Sequence, residues 1–135
     1  MGKNILLAVD GGETSSAAVR KALSMAKEGS GRITAVFVKD IGFRMKPSFY
    51  SLREIDAMAR IVFSDLVSQA EEEGVEIEFK LAIGHVARDI ASLSRGYDFV
   101  VCGSHGRGTI GRALFGSVSD SLARTSKCAT MIVHA

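Results

Sequence analysis

The feature that most constrains the fold of this chain is an alternation. Short, nearly continuous apolar runs are followed by longer stretches in which apolar residues recur three and four positions apart. Asn4–Val9 is the first such run and is closed by Asp10-Gly11-Gly12. A run this short and this apolar reads as a strand buried on both faces, ending in a turn. Behind it, Ala18, Val19, Ala22, Leu23 and Ala26 fall at helical spacing, with Thr14 or Ser15 as the cap and Gly29-Ser30-Gly31 as the stop.

The unit then repeats. Residues 32–38 form a second strand, and residues 41–50, with Gly42, the only proline (Pro47) and no periodicity, form a loop. A long helix over 51–73 carries Ile55, Met58, Ala59, Val62, Leu66 and Ala70 on one face and ends at Gly74. Residues 75–83 alternate apolar with charged side chains, the pattern of an edge or near-edge strand. A short helix is predicted over 86–94, a buried central strand over 97–102, a helix over 118–125 and a last strand over Ala129–Val133.

Strands alternating with helices and joined by short turns build a parallel sheet with right-handed crossovers. The expected fold is therefore α/β, a three-layer doubly wound domain with five parallel strands and helices on both faces, spanning residues 1–135 as one unit. In such folds ligands bind outside the carboxyl ends of the strands, where strand order reverses. Topology alone thus brings Asp10, Val38 and Gly103 to one edge.

Composition narrows the partners. Seventeen basic against fifteen acidic side chains leave a formal charge of +2, so no basic stripe points to nucleic acid or an anionic membrane. No apolar run approaches membrane-spanning length. The opening MGKNILLAVD lacks a signal-peptide pattern, and Leu6 stands where myristoylation of Gly2 needs Ser or Thr; a cytoplasmic location is expected. Arg95, Arg107, Arg112, Arg124 and Lys127 give the last third a local basic excess, available to a phosphate ligand or to solvent. Cys102 and Cys128 lack CxxC spacing, and although His105 stands three residues after Cys102, no further pair completes a zinc pattern. Both cysteines are expected to be buried, inert thiols, and no protein metal site is expected.

The segment 103–119 follows the predicted central strand, leads into a helix and holds five glycines between Gly103 and Gly116. Glycine lets backbone N–H groups approach an anion, and a helix N-terminus adds roughly half a positive charge there. A flexible surface loop would also be rich in glycine and serine, but the strand-loop-helix setting favours phosphate. The Walker pattern GxxxxGK[ST] is absent, which removes the lysine of a fast NTPase. Gly106-x-Gly108-x-x-Gly111 matches GxGxxG literally, yet Met131 stands where an acidic residue should bind ribose. A different spacing fits: Gly103, two residues, Gly106, nine residues, then Gly116 and the hydroxyl of Ser117. Ser117 and Ser119 are expected to offer hydroxyls at the helix start, beside unpaired N–H groups of Gly116, Ser117 and Val118.

With that spacing the chain resembles the ATP-binding subgroup of the universal stress protein family, from ILLAVDGGETS to the closing ATMIVHA. The resemblance implies that Asp10, preceded by Ala8 and Val9, lies near ribose and adenine. It implies that the backbone at Val38 contacts adenine, that Cys102, Gly103, His105 and Gly106 form the turn beneath ribose and the first phosphates, and that Gly116, Ser117, Val118 and Ser119 wrap the outer phosphates. Arg107 and Arg112 are candidate phosphate partners, or face water. Gly12 departs from the serine that many relatives carry there; Thr14, Ser15 or Ser16 are the available substitutes.

The implied cofactor is ATP, with Mg2+ or Mn2+ held mainly by the phosphates. The implied assembly is a homodimer joined through antiparallel final strands, in keeping with the apolar edge Thr130-Met131-Ile132-Val133. The implied function is nucleotide-dependent regulation in the stress response, with slow or no hydrolysis, so not that of an enzyme. The alternatives are a weak ATPase on the same site and a nucleotide-free interaction module.

Overall fold

The computed structural model describes residues 3–9, 13–29, 31–39, 52–83, 86–104 and 114–134. Strands and helices alternate throughout: β1 (Asn4–Val9), α1 (Glu13–Gly29), β2 (Arg32–Lys39), α2 (Leu52–Glu73), β3 (Glu76–Ile83), α3 (Val86–Leu93), β4 (Phe99–Gly103), α4 (Leu114–Thr125) and β5 (Ala129–Val133). The five strands form one sheet in the order β3-β2-β1-β4-β5, and every pairing is parallel. The expected α/β architecture, with β1 buried on both faces from Ile5 to Val9 and β3 at an edge, is the observed one.

The period of two along each strand divides the core into two layers. Ile5, Leu7 and Val9 of β1, with Ile33 and Ala35 of β2 and Val101 of β4, pack beneath α1 and α2. Leu6 and Ala8, with Val36, Val38, Val100 and Cys102, pack against Val86, Ile90 and Ala91 of α3 and Val118 and Leu122 of α4. Helices thus cover both faces. Small residues bring α1 close to the sheet, with Ala18, Ala22 and Ala26 all buried on its inner side. On α2 the corresponding residues are Ala59, Leu66 and Ala70; Phe63 extends the contact, its ring 4.5 Å from Phe79 and edge-on to Phe37 at 6.2 Å. Leu66→Ala would empty the centre of this layer, at a cost of about 2–5 kcal/mol.

Helix ends follow backbone chemistry. Gly74 adopts φ +69°; its N–H donates to the Glu71 carbonyl at 3.2 Å and that of Val75 to Ala70 at 2.9 Å, the paired bonds that close a helix over a left-handed residue. Gly31 ends the α1 turn for a different reason. A Cβ there would lie 2.7 Å from the Lys3 carbonyl oxygen.

Four local expectations are corrected. α1 begins at Glu13, so Thr14 and Ser15 lie inside its first turn and do not cap it. α4 begins at Leu114, four residues before the expected start. Tyr97 is not in β4: it closes the short 3-10 turn Ser94–Gly96, donating its N–H to the Ser94 carbonyl at 3.0 Å. Cys128 is half-buried rather than enclosed, because it precedes β5 in the turn after α4. The 41–50 loop lies outside the described residues.

Candidate nucleotide site at the carboxyl edge

β1 lies between β2 and β4, with Val9 beside Phe37 and Leu7 beside Val101. From β1 the chain winds outward to β2 and β3; it then crosses to the other side for β4 and β5. The order therefore reverses between β1 and β4, and it is at the carboxyl ends of such a switch point that open α/β sheets take their ligands. Asp10 follows β1 directly and Ser104 follows β4. The Ser104 N–H donates to the Val133 carbonyl at 2.9 Å, which binds the start of the glycine-rich segment to β5.

Of the residues singled out in the sequence, the structure brings together Ala8, Val9, Val38, Cys102 and Gly103 at this edge. Ala8, Val9, Val38 and Cys102 are buried in the two core layers. Their side chains are committed to packing, so a ligand at the edge meets these strands mainly through backbone atoms and through the residues just beyond each strand end. Asp10, His105, Gly106, Arg107 and Arg112 lie outside the described residues. Burial pushes the Cys102 thiol up to about 11, which removes it as a nucleophile.

Gly116, Ser117, Val118 and Ser119 all belong to α4. Because that helix starts at Leu114, the N–H groups lacking an intrahelical acceptor are those of Leu114, Phe115 and Gly116. Those of Ser117 and Val118 are inside the ladder, which corrects the expectation for these two. Val118 is a core residue, and Ser119 is buried, one turn into the helix, with partners of its own. The anion-attracting end of α4 is thus its first turn, with Gly116 as the last donor lacking an intrahelical acceptor.

A cleft of about 340 Å³ opens between α1 and α2 beside Val9, lined by Ser15, Ser16, Arg20, Asp65 and Gln69 among others. Arg20 and Asp65 share this cleft only because α1 packs on α2, and no sequence motif marks them. A larger cleft of about 570 Å³ lies at the opposite, amino end of the strands, around Asn4, Arg32, Glu76 and Tyr97. Its size does not make it the nucleotide site, since it has neither the strand-order reversal nor a helix N-terminus. Among the described residues, no three His, Cys, Asp or Glu side chains gather as metal ligands do, and no helix is long and apolar enough to cross a membrane.

Comparison with known proteins gives a consistent picture. The Universal stress protein family matches residues 1–134. A universal stress protein of Methanocaldococcus jannaschii is 26% identical over 97% of the chain and 81% of its own length. Among solved structures, a member of the universal stress protein family from Burkholderia pseudomallei is 27% identical with a TM-score of 0.76, covering 98% of this chain and 96% of that one. The universal stress protein from Archaeoglobus fulgidus in complex with dAMP superposes with a TM-score of 0.71 at 19% identity, over 98% of both chains.

Proposed function

Since this chain belongs to the universal stress protein family, we propose that it binds an adenine nucleotide, ATP foremost, at the carboxyl edge between β1 and β4. The observation that carries this reading is the strand-order reversal at β1 and β4, with the first-turn N–H groups of α4, which have no intrahelical acceptor, following the glycine-rich segment. The dAMP complex of the Archaeoglobus relative supports it. The donor set fits the group: backbone N–H groups of Leu114, Phe115 and Gly116 suit phosphate oxygens, and the backbone ends of β1 and β2 at Val9 and Val38 offer carbonyls and N–H groups to a base. Asp10 is assigned to the ribose and adenine, and His105, Gly106, Arg107 and Ser117 to the phosphate side. Mg2+ or Mn2+ would be held mainly by the phosphates.

The protein works by binding, as a nucleotide-dependent regulator of the stress response in the cytoplasm, with slow or no hydrolysis. It acts as a homodimer paired through β5, whose Thr130, Met131, Ile132 and Val133 are half-buried at the sheet edge in the single chain. A thermal-shift titration of the purified protein with millimolar ATP and magnesium tests the reading, because a ligand of the native state raises its melting temperature. A rise that saturates with ATP supports it. No rise, with no nucleotide retained on the purified protein by mass spectrometry, overturns it.

A further inference from the structure

β3 forms the edge of the sheet opposite β5, and among the described residues β2 is its one strand neighbour. Its sequence Glu76-Ile77-Glu78-Phe79-Lys80-Leu81-Ala82-Ile83 divides by face. Ile77 and Phe79 are half-buried against the layer under α1 and α2. Leu81 continues that side by the strand period, yet it is 44% exposed. Glu76, Glu78 and Lys80 stand exposed on the other face. An edge strand offers unpaired N–H and C=O groups to any strand that can lie beside it, and charges normally blunt it by repelling a copy of themselves. Here the two signs are arranged so that one register of self-pairing opposes unlike charges without also opposing like ones.

We infer that β3 pairs antiparallel with β3 of a second copy, about a two-fold axis at Phe79. In that register Glu78 stands opposite Lys80 of the second copy, and symmetry repeats the pair. Ile77 stands opposite Leu81, which covers the exposed leucine, and the two Phe79 residues face each other. Directly opposed residues are the unit of sheet stability, and opposite charges there are favourable while like charges are not. Moving the axis to Glu78 forms two Glu76–Lys80 pairs but sets Glu78 against Glu78, and moving it to Lys80 sets Lys80 against Lys80 with no attractive pair. An axis between residues 78 and 79 sets the charge of Glu78 against the Phe79 ring. The charges therefore favour this register, while ladder hydrogen bonds and apolar cover supply the attraction. Because β3 and β5 are opposite edges of one sheet, this pairing leaves β5 and the carboxyl edge free. Two different self-complementary edges on one chain extend a sheet through successive copies.

Disulfide trapping reads the register. In a Cys128→Ser background, Glu78→Cys protein mixed with Lys80→Cys protein should form an intermolecular disulfide under mild oxidation several-fold faster than either alone, since residue 78 meets residue 80 and not itself. Equal trapping in all three samples, or none in the mixture, overturns the inference. Charge reversal is the second measurement. Glu78→Lys and Lys80→Glu should each weaken β3 association by about tenfold in sedimentation experiments, because two attractive pairs become repulsive. The double exchange Glu78→Lys/Lys80→Glu should restore it. Single variants that assemble like the wild type, or a double variant as weak as the singles, would refute the pairing.

Discussion

Ser94 Oγ accepts the backbone N–H of Lys127 at 2.7 Å while donating its own proton to the Ala91 carbonyl at 2.6 Å. The residue is fully buried and fastens the end of α3 to the turn that launches β5. Ser94→Ala leaves the Lys127 N–H without its acceptor, at an expected cost of about 1–3 kcal/mol. A urea melt measures it; an unchanged midpoint would show that the bond contributes nothing.

Two glycines near the α1 end should respond with opposite sign. Gly31→Ala drives a Cβ to 2.7 Å from the Lys3 carbonyl oxygen, which is already held by the Arg32 N–H at 2.9 Å. Neither backbone can yield cheaply, and a loss of about 1–3 kcal/mol is expected. Gly29→Ala meets nothing within 4 Å and should raise stability by a few tenths to about 1 kcal/mol through the unfolded chain. Paired denaturant melts decide; the same sign for both would contradict the close approach of Gly31 to Lys3.

Stability should fall in alkaline solution through Cys102. Its folded pKa of about 11 stands above the ordinary value of 9.0 because the thiol is desolvated. Between those values the unfolded chain has released the proton and the folded chain retains it, so unfolding is favoured as pH rises from about 9 to about 11. The full drop is roughly 2–3 kcal/mol. Cys102→Ala should flatten that part of the stability–pH curve relative to wild type, and an unchanged slope would assign it elsewhere. Burial and the nearby Asp98 carboxylate also hold the Cys128 thiol above its ordinary value, so a thiol reagent at pH 8 should label the half-exposed Cys128 slowly and Cys102 only on unfolding.

Gly116→Asp separates ligand binding from folding. A carboxylate in the first turn of α4 complements the helix dipole, so the free protein should lose no more than a few tenths of a kcal/mol. The same carboxylate competes for the place a phosphate would take and repels it, and the ATP-dependent thermal shift should vanish. A variant that keeps the full shift would move the phosphates away from α4.

The parts of the fold that are legible in the sequence are those in which one interaction dominates. β1 is apolar on both faces because both helical layers cover it, and β3 alternates because it has an edge. Gly74 stops α2 as expected, since only a left-handed residue closes that turn. The start of α4 is hidden because Gly116 carries the loop signal of glycine, although a first turn needs few intrahelical bonds and tolerates it. Thr14 and Ser15 have cap chemistry but fall two and three residues past the cap position, inside the first turn. Cys128 borders an apolar strand in sequence while its place in a turn leaves it half open. The strand ends at Val9, Val38 and Gly103 follow from topology, whereas the cleft lined by Arg20 and Asp65 depends on how two helices pack and has no local sequence signature.

The strand order also bears on the making of the protein. β1 is synthesised early, yet one of its flanks is covered only by β4; the Asn4 N–H that bonds the Asp98 carboxylate at 2.8 Å waits for a residue 94 positions later. On the ribosome, β1, β2 and β3 can assemble while the Leu6 and Ala8 face and the β4 flank of β1 still lack their cover. For that interval a nascent chain exposes a strand edge apolar from Ile5 to Val9, the species most open to aggregation and to capture by chaperones.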